Sequence, residues 1–327
     1  MSGNPSTPST PRRAVQALAL TLAAGLAASC GAPDGDTGGS GGGNAPVRMA
    51  VNGWVGYEAS AAVLAYLIEE ELGGTVEKVE DDEETSWHKL AEGEVDVILE
   101  NWGHQDLMDL YGAEESPLVV DGGPNGNDGR IGWYVPKYVV DAHPEVATYE
   151  GLAENTGLFR TGAGEGPGRF LAADPTFVTQ DQGMINHFDL DLEIEYAGSE
   201  EEQLEEVRAA YEKEEPVLFY FYEPQWMTEE MDLVKVEFPE YVDLCEIDAD
   251  DVACDYPEYE LNKVFAKPFA DADSPAYRLL KNWRWTNEDQ NDVAEKIAGE
   301  GMAPEEAAAE WVEDNPDVWQ EWIPEDA

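Results

Sequence analysis

Strand-like and helix-like segments alternate along the first half of this chain, and that alternation limits the folds open to it more than any other feature. Val47–Val51 is a short apolar run suited to a strand. It leads through Asn52–Tyr57 into a helical stretch near Glu58–Leu72, which Gly73 and Gly74 close. Val76–Val79 reads as a second strand, a helix around Ser86–Ala91 follows, and Val95–Leu99 is a third strand with Trp102 at its exit. This rhythm predicts an α/β fold with a parallel sheet covered on both faces. Gly122–Gly129, rich in glycine and asparagine, reads as a loop, and Ile131–Val135 resembles a crossing strand that stops at Pro136. A second α/β segment then runs to about Phe221. Ile194–Tyr196 and Val217–Phe221 are its clearest strands, and Ser199 with Glu202 caps a helix reaching about Lys213. The C-terminal third is helical. Thr286–Asp289 caps one helix, Pro304 opens another, and Trp311, Trp319 and Trp322 lie at spacings expected of packing anchors.

The first residues have a different character. Arg12 and Arg13 precede an apolar stretch, Ala14–Ala28, that ends in small residues before Cys30. A basic start, a short apolar region and small residues mark an export signal, here residues 1–29, and the stretch is too short for a permanent membrane span. Cys30 is expected to be the lipid-modified cysteine of a bacterial lipoprotein; plain secretion with an incidental Cys30 is the alternative. The usual leucine three residues before the cysteine is Ala27 here, with Leu26 one earlier. Residues 30–46, with Gly38–Gly43 at their centre, read as a flexible tether between an anchor and a folded domain.

Charge excludes some functions. The chain has 18 basic and 71 acidic residues, a net charge of −53. Nucleic acid and anionic membrane surfaces both need Lys and Arg, so neither is an expected partner; the membrane contact is the lipid alone. The acids are spread along the whole chain, as on a solvated surface that tolerates a salty exterior. Outside a reducing cytoplasm, Cys245 and Cys254 are expected to form a local disulfide. They lack the spacing of a zinc site, and the neighbouring aspartates lack the glycine and glutamate of a calcium loop, so no metal is expected.

The candidate chemistry lies at the strand exits. Open α/β sheets bind ligands beyond the carboxyl ends of their strands. Trp102 ends one strand, Tyr222 ends another, and Trp54 follows the first. Aromatic faces there suit a cation that cannot donate hydrogen bonds. Each ring has the alternative of plugging a lobe edge. Trp133 and Tyr134 lie on the crossing strand, one facing each way, so Trp133 is a weaker fourth candidate. Trp226 is read either beneath the cage or lining it. His104 is a candidate donor to a ligand carboxylate, or else a solvent-facing loop histidine. The glycine-rich segment Thr161–Gly168 offers main-chain N–H groups to an anion, with Gly164, Glu165 and Gly166 at its centre. It is not a dinucleotide fingerprint, and no phosphate-binding Gly-Lys-Ser/Thr loop, nucleophile elbow or His-Glu-x-x-His motif occurs. The chain is therefore read as a binding protein without a cofactor rather than an enzyme. An exported hydrolase is the reading from a different class.

Tethered export, Val95–Trp102, Gly132–Tyr138, Tyr222–Trp226 and the closing pattern from Trp285 to Trp322 together resemble the glycine betaine/proline betaine substrate-binding proteins of ABC transporters. The resemblance covers about Val47 to Trp322. It implies a type II periplasmic-binding fold, two α/β lobes with a ligand cleft at the hinge: 47–135 in the first lobe, 136–222 in the second, 223–327 returning to the first. It implies an aromatic box for a quaternary ammonium, with the carboxylate held by main-chain N–H groups and often a histidine. Trp102 falls on the family's Trp, although Gly103–Gln105 departs from the pattern and displaces His104. Tyr222 falls where the family has Trp. The family's third Trp lies in a glycine-rich loop matching Gly162–Gly168, which has no aromatic here, so Trp54 or Trp133 takes over. The implied partners are a permease with a separate ATPase, reached by a monomer outside the cytoplasm. Glycine betaine is the first expected ligand, with choline, carnitine or another small solute as alternatives.

Overall fold

The structure is a computed structural model that describes residues 45–113, 115–162 and 165–325. The expected signal segment, Cys30, the tether up to residue 44 and Gly164 lie outside the described residues. Among the described residues nine strands form one sheet: β1 (Val47–Val51), β2 (Val76–Glu80), β3 (Val97–Asn101), β4 (Val119–Pro136), β5 (Gly168–Ala172), β6 (Leu192–Tyr196), β7 (Phe219–Glu223), β8 (Leu233–Lys235) and β9 (Glu258–Ala266). Their order is β2-β1-β3-β9-β4-β7-β5-β6, and β8 pairs with the end of β4. Each flank is parallel, β2-β1-β3 on one side and β7-β5-β6 on the other, as helical crossovers require. The middle is antiparallel: β9 pairs with β3 and β4, and β4 pairs with β7. The sheet is therefore mixed rather than wholly parallel. Arg130 marks the seam, because it pairs with Glu258 of β9 and with Glu223 of β7.

The expected loop Gly122–Gly129 is instead part of β4, a strand of 18 residues. Its composition conceals a period of two: Asn125, Asn127 and Gly129 are buried, while Gly126, Asp128 and Arg130 face solvent. Both inward amides donate hydrogen bonds. Asn125 Nδ2 donates to the Leu99 carbonyl at 3.1 Å and Asn127 Nδ2 donates to Gln290 Oε1. Gly126, with φ at +103°, lies so close to Trp285 that a Cβ would meet its carbonyl oxygen at 2.0 Å. Glycine here serves close approach, and the asparagine amides donate from buried positions, although Asn127 Oδ1 is left without a partner.

The first helix runs Val55–Glu70, starting three residues earlier than expected. It is buried on most of its surface, lying between the sheet and the returning helices Asn287–Ala294 and Pro304–Asp314. Thr286 and Asp289 form both halves of the capping box, and Pro304 opens its helix. Trp311, Trp319 and Trp322 are buried, with Trp311 and Trp322 stacked at 5.9 Å. Trp226–Glu229 packs on the helix Asn287–Ala294, and from β8 to Tyr256 the chain lies against the β5-β6-β7 flank. β8 extends β4 there, Glu237 bridges Thr148, and the Val252 N–H donates to the Gly183 carbonyl at 3.2 Å. In that segment a disulfide joins Cys245 and Cys254 across a Cα separation of 6.0 Å. Among the described residues no helix is long and apolar enough to cross a membrane.

Candidate functional site: an aromatic pocket at the strand exits

One pocket is lined by Trp54, Glu83, Trp102, Ile131, Phe177, Val178, Tyr220 and Tyr222. Its origin is the sheet. Trp54 follows β1, Glu83 opens the helix after β2, and Trp102 follows β3. Phe177 and Val178 lie in the loop after β5, and Tyr220 and Tyr222 share one face of β7. These are carboxyl ends of parallel strands, where the chain turns into helices and side chains converge. Ile131 of β4 pairs with Tyr222 across the seam.

The rings touch in series. Trp54 stands edge-on to Phe177 at 5.9 Å, and Phe177 neighbours Tyr220 at 6.3 Å. Tyr220 neighbours Tyr222 at 6.4 Å, and Tyr222 meets the edge of Trp102 at 5.7 Å. Tyr259 supports Trp102 from outside the lining, at 5.6 Å. Gly129 makes room for that indole, since a Cβ there would lie 2.7 Å from Trp102 Cζ3.

A buried carboxylate closes the series. Glu100 of β3 accepts from Trp54 Nε1 at 3.0 Å and Trp102 Nε1 at 3.4 Å through one oxygen. The other oxygen accepts from Ser60 Oγ at 2.9 Å and from Gln290 Nε2 at 2.5 Å. Burial raises its pKa, and the four donors oppose that by stabilising the anion. On the other side Glu200, also buried, accepts from the Tyr222 hydroxyl and from Gln225 Nε2 at 2.7 Å. Its second oxygen accepts from the Val55 N–H at 2.8 Å, one of the unpaired donors at the start of the helix after Trp54. Burial raises the pKa of Glu200 as well, against the same kind of opposition.

Glu83 is the charged member of the lining. Its Oε1 lies 3.2 Å from His104 Nε2, and the two side chains are only 12% and 11% exposed, so the pair is shielded from water. Burial pulls the His104 pKa down, but the hydrogen bond and charge of Glu83, with Asp106 and Glu84 behind it, leave it above its ordinary value.

The structure thus brings Trp54, Trp102 and Tyr222 together in one pocket. Trp133 does not join them. It shares the face of Tyr220, its partner across the strands, but lies deeper in the second flank and is wholly buried against Phe170 and Phe238. Its Nε1 donates to Asp181 Oδ1 at 2.6 Å, an oxygen that also accepts from the Tyr256 hydroxyl at 2.8 Å. Alternation put Trp133 and Tyr134 on opposite faces without saying which faces the cleft; the pairing with Tyr220 gives the side of Trp133, and depth removes it from the pocket. His104 is not in the lining but stands behind Glu83. Glu165 and Gly166 are exposed and outside the lining, and the Gly166 carbonyl accepts from Arg160 Nε at 2.5 Å. Trp226 is buried with the Arg208 guanidinium 5.2 Å from its ring centre, also outside this lining. Sequence reasoning missed Glu83, Glu100, Ile131, Phe177, Val178, Glu200 and Tyr220. Tyr220 had a signal, since it lies two residues before Tyr222 on the same strand. Glu83 and Glu100 had none among 71 acidic residues.

A family model described as the substrate-binding domain of ABC-type glycine betaine transport systems, OpuAC, matches residues 45–314. The glycine betaine/carnitine transport binding protein GbuC of Listeria monocytogenes is 27% identical over 172 residues, covering 52% of this chain and 51% of that protein. The chain therefore aligns with about half the length of that relative. The trimethylamine N-oxide-binding protein of Pelagibacter ubique is 23% identical over 289 residues, covering 84% and 89% respectively. Among solved structures, lactococcal OpuAC, closed on glycine betaine, superposes with a TM-score of 0.67 at 21% identity over 85% of this chain and 99% of that one. An ABC-transporter choline-binding protein with choline superposes with a TM-score of 0.69 at 20% identity, over 85% and 91%. These likenesses establish the expected periplasmic substrate-binding fold.

Proposed function

We propose that this chain, which belongs to the OpuAC family of substrate-binding domains from ABC-type glycine betaine transport systems, captures a quaternary ammonium solute outside the cytoplasm. It then delivers the solute to a membrane permease driven by a separate ATPase. The ring series Trp54–Phe177–Tyr220–Tyr222–Trp102 carries this reading. A methylated ammonium has no N–H to donate and spreads its charge over methyl groups, so apolar contact and the negative faces of aromatic rings hold it better than polar side chains do. Glu100 and Glu200, buried behind the rings, hold the two indoles and Tyr222 in place by accepting their hydrogen bonds.

Glycine betaine, proline betaine, choline and carnitine all present such a head group. The walls come from both flanks of the sheet, so capture favours the closed arrangement of two lobes over an open one. We place the return to the first lobe at β9 rather than at residue 223, because the segment from β8 to Tyr256 packs on the second flank. Cys30 as a lipid anchor, residues 30–46 as its tether and a monomeric state complete the reading. Calorimetric titration of the exported protein with the four solutes tests it. Heat accompanied by a tryptophan fluorescence change supports the proposal, and silence with all four overturns it.

A further inference from the structure

The polar side of the pocket carries an acceptor where the ligand carboxylate was expected to find donors. Neither lysine nor arginine lines it, and the glycine-rich segment offered as an anion cradle has its described residues Glu165 and Gly166 exposed and away from the lining. Glu83 lines it instead. His104 grips Glu83 Oε1 without lining the pocket itself, so the negative end of the pair faces the ligand and the positive end stands behind it. With both side chains about nine-tenths covered, a ligand carboxylate would meet that negative end with little water to screen it.

We propose that Glu83, oriented by His104, decides ligand choice at this site: it accepts a hydrogen bond from a quaternary ammonium bearing a hydroxyl and repels one ending in a carboxylate. This rests on the quaternary ammonium reading above and adds which member of that class the pocket takes. Glu83 touches the ligand, while His104 acts through it as a positioning residue.

The test compares three probes by calorimetry: choline, glycine betaine and tetramethylammonium, which has the head group and no polar end. Choline and glycine betaine share a trimethylammonium head, so damage to the cage moves both affinities together, and only their ratio reports Glu83. Choline is expected to bind the unaltered protein at least about tenfold more tightly than glycine betaine, the scale of one hydrogen bond to a charged group. Glu83→Gln is expected to bring the two within about threefold, with tetramethylammonium losing less affinity than choline. Tighter binding of glycine betaine by the unaltered protein, or an unchanged ratio in Glu83→Gln, overturns the assignment while the quaternary ammonium reading stands. Binding of none of the three removes that reading, and this inference with it. The comparison in the unaltered protein needs no variant, so it decides the matter even where Glu83→Gln does not fold.

Discussion

Glu100 and Glu200 are both carboxylates buried behind the rings of the pocket, but Glu100 draws its partners from one flank of the sheet and Glu200 draws them from both. Trp54, Ser60, Trp102 and Gln290 all belong to the β1–β3 side or to the helices packed on it. Tyr222 and Gln225 belong to the other side, while the Val55 N–H reaches Glu200 from across the cleft. Chemically alike groups therefore do different work. One fixes the angle between two indoles within a wall, and the other ties two walls together through a helix start.

The strongest way to break that comparison is to remove each acceptor. Glu100→Ala strands four buried donors and is expected to lower unfolding free energy by about 3 kcal/mol or more in a denaturant titration. Glu200→Ala, which strands three donors, the Val55 N–H, the Tyr222 hydroxyl and Gln225 Nε2, is expected to cost less, about 2 kcal/mol. Equal losses would show that the two carboxylates are not the distinct devices described here.

Asp181 sharpens the contrast, as a third buried carboxylate with fewer donors. Trp133 Nε1 and the Tyr256 hydroxyl donate to its Oδ1. Burial still outweighs them and lifts its pKa to about 6 from an ordinary 3.8. The folded protein then holds this proton more tightly than the unfolded chain does. Its contribution to stability is full below about pH 4 and is lost as pH rises through about 6, for a total near 3 kcal/mol. Asp181→Asn should flatten stability against pH in that window; an unchanged slope would mean that other groups set it.

Smaller effects separate wall from core. Trp102→Ala is expected to weaken quaternary ammonium binding by about 1.4 kcal/mol or more, tenfold in calorimetry, by removing one aromatic face. Trp133→Phe should leave that affinity within about threefold even as it frees Asp181 and costs stability, because its ring is outside the pocket. Tyr222→Phe keeps the ring and loses only the hydroxyl bound to Glu200. Its effect on affinity is expected to be the smallest, and a larger loss than that of Trp102→Ala would transfer the dominant role from the ring to the link between flanks.

Part of this candidate pocket was legible from residue order alone, for reasons that also explain the omissions. Trp54, Trp102 and Tyr222 announced themselves because apolar strands end abruptly and the next aromatic has one edge of the sheet to occupy. Trp133 misled because a strand's period of two gives the face of a side chain but not its distance from the cleft. The strand through Asn125 and Asn127 was hidden by a composition that normally means a turn. Only the neighbours of those amides, Leu99 and Gln290, explain why they are buried. Glu83 and Glu100 were invisible because a chain this acidic offers a carboxylate at every turn. What distinguishes these two is enclosure, which depends on residues far apart in sequence.

The seam in β4 has a mechanical consequence. Arg130 pairs with both flanks, and the next residue, Ile131, is a wall of the pocket. A ligand there would sit almost on the fulcrum of any rotation between the flanks. Near a fulcrum, displacement is small: a rotation that swings the outer rims well apart separates the nearby rings only slightly. Grip and gape are thus geared differently. On the proposed delivery to a permease, the outer surfaces would report an occupied pocket while the solute itself had barely shifted.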